Sequence, residues 1–234
     1  IGIDSLEIEG KLETSDNNAG LIANAFNKYF NEVPRNLLHQ NNLLEIPIEK
    51  EEFSKSITDA TLESFQLTID DVQQAISKLK NKKSAAIDGI SANIFKKLPK
   101  LMSRNLTPLY NASLKAGNYP EILQTSVILP RHKRGNETQI KNYKPVANAS
   151  VISIIFEKAV KEKILNYLNH INFFSEQQFG FMKEKSTDSA LFHHITKLTD
   201  IIENKNTALG IYLDLAKAFD TVSHKILLLK LKQI

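Results

Sequence analysis

The sequence predicts a helix-rich α+β fold. Apolar residues recur at helical spacing in four or five stretches, whereas runs typical of strands are few and short. Hydrophobic residues make up 42% of the 234 residues, which is enough for one or two domains with a sizeable core. The longest apolar runs are much shorter than a membrane span, so we expect no transmembrane helix and no membrane partner.

The first third of the chain predicts one helix between two irregular segments. Residues 1–20 are polar and weakly periodic, and we expect them to be poorly ordered. Residues 21–38 carry a helical stripe of apolar side chains. Residues 39–66 are rich in Asn and Glu and predict a connector. Thr68, followed three residues later by Asp71, is typical of a capping box that begins a helix.

Helices dominate the next segment. The apolar repeat after the capping box continues to Leu79 at helical spacing. Ser91 predicts the cap of a short helix that Pro99 ends. Residues 101–116 predict a longer helix, which ends at Gly117 because glycine favours the left-handed cap position.

Three segments predict strands. Residues 125–129 favour a short strand that Pro130 would stop. A basic turn follows at residues 131–135, and residues 142–146 could return as a second basic strand. The apolar run at residues 208–214 is the strongest strand prediction in the chain.

Helical periodicity returns in the C-terminal half. Residues 152–168 and 191–202 predict two amphipathic helices, separated by a loop at residues 175–181. A final helix is predicted at residues 222–231.

The charge is unevenly distributed along the chain. Residues 1–63 hold 5 Lys and Arg against 12 Asp and Glu, whereas residues 64–234 hold 25 against 14. A basic excess favours a polyanionic partner, although solvated helix faces would give the same count. Cysteine is absent, which excludes disulfides, thiolate zinc sites and Cys nucleophiles.

The sequence also indicates a cellular compartment. Without cysteine or a secretory signal, the chain is typical of an intracellular protein, nuclear or cytoplasmic. It begins without Met, so we expect it to be part of a longer protein.

An acidic motif follows the strongest strand prediction. Asp214 ends the apolar run, Phe219 follows five residues later, and Asp220 comes next. In an interpretation without a catalytic role, the two acids are turn or helix-cap residues. Phe219 is then a buried anchor of the turn. A phosphatase of the dehalogenase type would need a second Asp two residues after the first, where this chain has Ala216.

Basic residues cluster at the end of the 125–129 strand. Arg131, His132, Lys133 and Arg134 could hold a triphosphate or a template backbone there. The alternative is a solvated hairpin tip. A phosphate-binding loop around Lys185 is rejected, because the glycine required before that lysine is absent.

Taken in order, six strings resemble the reverse transcriptase of non-LTR (LINE-type) retrotransposons, of the jockey and CR1-like kind. The strings are Lys80-Asn81-Lys82-Lys83-Ser84 through Asp88-Gly89-Ile90; Leu129-Pro130 to Lys133-Arg134-Gly135; Asn142-Tyr143-Lys144-Pro145; Ile155-Phe156-Glu157-Lys158; Gln178-Phe179-Gly180-Phe181; and Leu213-Asp214-Leu215 to Ala218-Phe219-Asp220-Thr221-Val222-Ser223-His224. The family has a right-hand polymerase fold. The resemblance implies a connector at residues 1–69 and a partial reverse transcriptase domain at residues 70–234, with fingers to residue 205 and the start of the palm from residue 206.

The resemblance also implies roles for individual residues. Asp214 would be the first catalytic metal ligand, Leu215 would add its backbone carbonyl, and Phe219 would be the gate against a ribose 2′-hydroxyl. The nucleotide would be contacted by Lys133 and Lys144. Nucleic acid would be contacted by Arg131, Arg134, Lys183 and Lys185. The family usually has Arg where this chain has Lys144, and Lys cannot make the forked contact of Arg with phosphate.

The implied cofactor is Mg²⁺, as two ions, and the implied partners are an RNA template, a DNA primer or target and deoxyribonucleoside triphosphates. Two ions need carboxylates from two motifs. The sequence contains Asp214, but its only Asp-Asp pair, Asp70-Asp71, opens a helix far upstream. We therefore expect an incomplete polymerase that is inactive alone. The alternatives are a non-enzymatic nucleic-acid-binding remnant and a decayed copy of the element.

Overall fold

A computed structural model describes residues 3–40, 65–81, 85–215 and 217–232. The chain forms two compact units, one of residues 1–164 with 219–234 and the other of residues 165–218. Most of the predicted connector at residues 39–66 and the string Lys82-Lys83-Ser84 lie outside the described residues.

The N-terminal segment is a hairpin followed by a long helix. Strands β1 (Ser5–Ile8) and β2 (Lys11–Thr14) pair antiparallel, and α1 (Ser15–Gln40) follows directly. The expectation that residues 1–20 are poorly ordered was wrong. Leu6 is fully buried in a cluster with Ile22, Phe26 and Tyr143, and this apolar contact fixes the hairpin.

Three helices follow as the sequence predicted. They are α2 (Ile69–Ser77), α3 (Ala92–Lys97) and α4 (Pro99–Ala116). The capping box is confirmed, since the Thr68 hydroxyl accepts a bond from the Asp71 N–H, and the Asp71 carboxylate accepts one from the Thr68 N–H. Ser91 occupies the N-cap of α3 but makes no side-chain capping bond there.

The main core of the larger unit lies between these helices and the first part of α6 (Val151–His170). The aromatic rings of Tyr110 and Phe156 stack in parallel with centroids 4.5 Å apart, and the Tyr110 hydroxyl donates to the Ile152 carbonyl oxygen at 2.8 Å. Burial raises the pKa of Tyr110 because the phenolate would lose its hydration there. The buried members of the core are Leu67, Val72, Ala75, Ile76, Leu79, Ala92, Phe95, Leu106, Tyr110, Val151, Ile155, Phe156 and Ala159.

A second hairpin follows the short helix α5 (Glu121–Gln124). Strands β3 (Val127–His132) and β4 (Tyr143–Asn148) pair antiparallel, which confirms the predicted return strand. The prediction that Pro130 stops the first strand was wrong. Pro130 lies opposite Pro145, at a position where neither residue needs to donate to its partner, and the strand continues two residues further.

The last helices are α7 (Thr187–Glu203) and α8 (His224–Leu231). Residues 208–214 are not a strand, which corrects the strongest strand prediction. A strand needs hydrogen bonds from a neighbouring strand, and no described segment pairs with this one. Its apolar side chains are consequently exposed to solvent, as with Leu209 and Leu213.

No helix among the described residues is both long and apolar enough to cross a membrane.

Candidate nucleotide and nucleic-acid interface

Two cations face each other on one side of the β3–β4 hairpin. Arg131 pairs with Lys144 in the register, and both side chains are exposed. Hydrogen-bonded and non-hydrogen-bonded positions alternate along an antiparallel pair. The prolines at 130 and 145 fit the non-hydrogen-bonded kind, so the Arg131–Lys144 pair is of the hydrogen-bonded kind, with Cα atoms about 5.5 Å apart.

Like charges directly opposite each other destabilise a hairpin, and an anion bound to both removes that cost. Neither side chain forms an ion pair with a residue that the structure describes. Arg131 contributes a planar fork of donors and Lys144 a point charge, so together they suit a phosphate group. The sequence alone does not show that these two residues face each other, because the register is a property of the folded hairpin.

The hairpin loop adds two more cations. Lys133 and Arg134 are exposed, and the Lys133 N–H donates to the Asn142 carbonyl oxygen at 2.8 Å. Gly135 has φ +86°, and a Cβ there would lie 2.8 Å from the side-chain nitrogen Nδ2 of Asn142. The loop therefore requires glycine at this position and holds its basic residues on a defined turn.

His132 lies apart from the other members of the predicted basic cluster. Its ring sits on the opposite face of the hairpin, 5.3 Å from the Tyr143 ring, and its Nδ1 is 3.9 Å from a Glu137 carboxylate oxygen. Its Nε2 is buried without a hydrogen-bond partner among the described residues. Burial, and then the carboxylates of Glu137 and Asp4, raise the pKa of Tyr143. This face of the hairpin is thus a packing face.

The cationic face also carries an apolar groove. Leu129 and Val146, a facing pair next to Arg131 and Lys144, line a cavity of about 370 Å³ together with Ile3, Pro130 and Arg131. Leu129 is half exposed. An apolar floor beside two cations can take the sugar or base of a nucleotide whose phosphate lies on the cations.

Asp214 lies at the end of the extended 208–214 segment with its carboxylate in solvent. It makes no hydrogen bond or ion pair with any described residue, and Leu215 beside it is 77% exposed. Two residues earlier, the Tyr212 hydroxyl lies 2.9 Å from Nε2 of His194 on α7. This contact holds the segment that carries Asp214 against the helix.

Phe219 and Asp220 fall in the other compact unit from Asp214. Phe219 is 77% exposed, so it is not a buried anchor of the turn. Asp220 does not cap the final helix, since the Ser223 hydroxyl accepts the bond from the Ile226 N–H at that position. Both simpler interpretations of these residues are therefore wrong.

The third basic group lies in the smaller unit. The Lys185 ammonium is 5.0 Å from the centroid of the Phe179 ring and donates to the Glu176 carbonyl oxygen. Lys183 is 93% exposed and lies 3.6 Å from the Glu184 carboxylate, a contact that solvent largely screens. An aromatic ring with a cation above it is a surface on which single-stranded nucleic acid bases can stack.

Carboxylate and carbonyl oxygens such as those of Asp214 and Leu215 are the ligands that Mg²⁺ prefers. However, no group of three or more His, Cys, Asp or Glu side chains that could hold a metal ion is found in the described part of the chain.

Comparison with known proteins defines the class. Residues 131–234 match the family model described as reverse transcriptase (RNA-dependent DNA polymerase). The match begins at Arg131, the first residue of the cationic face, and includes Lys144 and Asp214. Residues 131–234 are therefore similar to reverse transcriptase domains. The predicted domain start at residue 70 lies outside this match and stays a prediction.

The more similar relatives narrow this class to the reverse transcriptases of non-LTR retrotransposons, to which the chain is related. An "RNA-directed DNA polymerase from mobile element jockey" of Drosophila melanogaster is 28% identical over 79% of this chain and 20% of its own length. A "Probable RNA-directed DNA polymerase from transposon BS" of the same organism is 28% identical over 72% of the chain and 19% of its own length. The chain spans about a fifth of the length of these curated relatives.

Proposed function

We propose that this chain supplies the fingers and the first catalytic carboxylate of an RNA-directed DNA polymerase of a non-LTR retrotransposon. The observation that carries the proposal is the cationic face of the β3–β4 hairpin, with Arg131 opposite Lys144, within a matched reverse transcriptase domain. The right-hand polymerase arrangement of fingers and palm is part of the proposal.

Substrate binding follows from the charges of the hairpin. Lys144 and Lys133 take the triphosphate of a deoxyribonucleotide, while Arg131 and Arg134 contact the nucleic-acid backbone or share that phosphate. Charge-assisted bonds to phosphate oxygens suit these side chains. In the smaller unit, Lys183 and Lys185 contact the RNA template beside the Phe179 ring.

Asp214 is the proposed metal ligand, with the Leu215 carbonyl beside it. When bound, two Mg²⁺ ions supply charge stabilisation for attack of a primer 3′-hydroxyl on the α-phosphate. Asp214 gives a carboxylate that no described residue already pairs with, so its charge is available to a cation. Since the 234 residues contain no Asp-Asp pair near this position, we expect no primer extension by this chain alone.

The test uses a chimaera in which a related active reverse transcriptase supplies the rest of the palm. We expect template-dependent incorporation of deoxyribonucleotides, and its loss on Asp214→Asn with nucleic-acid binding retained. Asp220→Asn is the matched control, because it removes a carboxylate six residues later in the sequence that the proposal does not assign to the metal. Incorporation that survives Asp214→Asn would contradict the metal role.

A second candidate function is nucleic-acid binding without polymerisation. The exposed cations of the hairpin favour it, because electrostatic binding to phosphates needs no metal site. Salt-dependent RNA binding by a chimaera that never incorporates nucleotides would select this function over the polymerase.

A further inference from the structure

A second cationic pocket lies in the larger unit, and its lining shares no residue with the hairpin cations. It has a volume of about 280 Å³ and lies between the end of α2, the start of α3 and the start of α6. Three lysines line it: Lys78, Lys80 and Lys158. None of them belongs to the proposed polymerase site.

The lysines leave a positive excess in the pocket. Lys78 is paired with Glu162 at 2.9 Å on the exposed surface. Lys80 and Lys158 form no ion pair with any residue that the structure describes, and Lys158 is half-buried. Two cations that line one pocket without counterions among the described residues raise the affinity of the pocket for an anion.

A fourth cation strengthens this field from behind the pocket wall. The Lys96 ammonium donates to the Leu79 carbonyl oxygen at 3.0 Å, and Leu79 itself lines the pocket. Asp88 accepts hydrogen bonds from the Ser150 hydroxyl at 2.5 Å and the Ile90 N–H at 3.0 Å, and it forms no ion pair with a lysine of the pocket.

The rest of the lining is suited to an organic body rather than to a bare inorganic ion. Leu79, Ala92 and Val151 present buried apolar surface to the pocket, and Ile154 and Ala86 extend it. Asn148 contributes the polar edge. Its amide nitrogen donates to the Ala85 carbonyl oxygen at 3.2 Å, which leaves the amide oxygen to accept a bond from a ligand.

We propose that this pocket binds a single nucleotide unit, with its phosphate on Lys80 and Lys158 and its sugar or base against the apolar wall. The volume lies just below the range of about 300–1,000 Å³ typical of small-molecule sites, so it admits one nucleotide and no duplex. The unit comes either from a free nucleotide or from one residue of a single strand. The inference goes beyond the proposed polymerase function and uses none of its residues.

The test measures fluorescence anisotropy of a labelled, 5′-phosphorylated uridine tetranucleotide on the full chain. All variants carry Arg131→Ala, Lys133→Ala, Arg134→Ala and Lys144→Ala, so that binding at the hairpin does not hide the pocket. Lys80→Gln with Lys158→Gln should weaken binding about tenfold and lower the single-strand salt slope by about 0.7 for each phosphate that the variant no longer neutralises. The matched control, Lys100→Gln with Lys115→Gln, removes two exposed lysines of the same unit and should change affinity less than about twofold.

A third variant separates the pocket from general charge. Ala86→Trp fills the cavity and keeps every lysine, so it should weaken binding to the same extent as the lysine pair. Circular dichroism and thermal unfolding confirm that each variant is folded. An equal loss in the control pair, or full binding by Ala86→Trp with its fold intact, would overturn the proposal.

Competition identifies the source of the nucleotide. Displacement of the labelled probe by uridine 5′-monophosphate supports a free nucleotide, whereas displacement only by unlabelled tetranucleotide supports a residue within a strand. Displacement by uridine as effective as by its monophosphate would overturn the role of the lysines. Because Lys183 and Lys185 are the same in every variant and the hairpin cations are absent throughout, the differences between variants report the pocket and not the polymerase site.

Discussion

Arg131 and Lys144 face each other across the β3–β4 hairpin, two like charges at one position of the register. This arrangement costs stability in the free chain, and an anion that bound both side chains would remove that cost. The resemblance implied that Lys144 contacts nucleotide and Arg131 contacts nucleic acid, and the register adds that the two residues lie opposite each other.

Arg131→Glu should raise the stability of the folded chain and weaken its binding to RNA. A Glu opposite Lys144 replaces repulsion by attraction, so we expect a gain of about 0.2–1 kcal/mol in the free energy of unfolding. Binding to single-stranded RNA should fall, because the substituted face no longer attracts phosphate. Chemical denaturation and anisotropy measure the two effects. Arg131→Gln is the control, since it removes one cation without adding an acid, and its loss of binding should be smaller.

The slope of RNA affinity against salt concentration should report how many phosphates the hairpin contacts. Each neutralised phosphate adds about −0.7 to the log–log slope on single strands and about −0.9 on duplex. Arg131→Ala with Lys133→Ala and Arg134→Ala should therefore flatten the slope measured from low to moderate salt. His132→Ala is the contrasting variant, because His132 packs on the other face. A slope unchanged by the triple substitution would contradict the hairpin interface.

The capping box should make the larger unit sensitive to acid. Burial raises the pKa of Asp71, but hydrogen bonds from Thr68 and the ammonium of Lys163, 3.2 Å away, outweigh burial and lower the pKa from its ordinary value of 3.8. A lowered pKa stabilises the folded state above pH 3.8, and this contribution is lost as the pH falls through the pKa of the folded state.

The corresponding substitution is Asp71→Ala. It should lower the free energy of unfolding by about 0.5–2 kcal/mol at pH 7, and by less below the ordinary pKa of Asp. Denaturation across pH measures this difference. Asp70→Ala keeps both bonds of the capping box and should cost less. A loss that stays the same from neutral to acid pH would show that the Asp71 carboxylate is not the stabilising group.

Phe219 should select deoxyribonucleotides in a chimaera that completes the palm. Phe219→Val should admit ribonucleotides while the rate with deoxyribonucleotides is largely kept, because the ring is 77% exposed and its removal leaves no core cavity. Relative incorporation efficiencies of the two nucleotide types give the answer. Phe192→Val, which removes another exposed ring, is the control. An unchanged ratio with both rates reduced would assign Phe219 a structural role.

The sequence by itself determined most of the helices and the ends that carry local signals. The apolar repeat after Asp71 and the left-handed Gly117 at the end of α4 depend on contacts within one or two turns, so local pattern is sufficient to predict them. The order of the motifs likewise gave the reverse transcriptase class, which the comparisons confirm.

Only the tertiary structure decided features that depend on a distant partner. Leu6 is buried because Ile22, Phe26 and Tyr143 cover it, and no local pattern in residues 1–20 predicts that contact. Residues 208–214 have strand-like composition but no neighbouring strand among the described residues, and composition alone cannot supply the missing hydrogen bonds. The same holds for the charged residues, since charge positions along a chain do not fix distances in space. Only the folded chain pairs Arg131 with Lys144 and brings Lys78, Lys80 and Lys158 to one pocket.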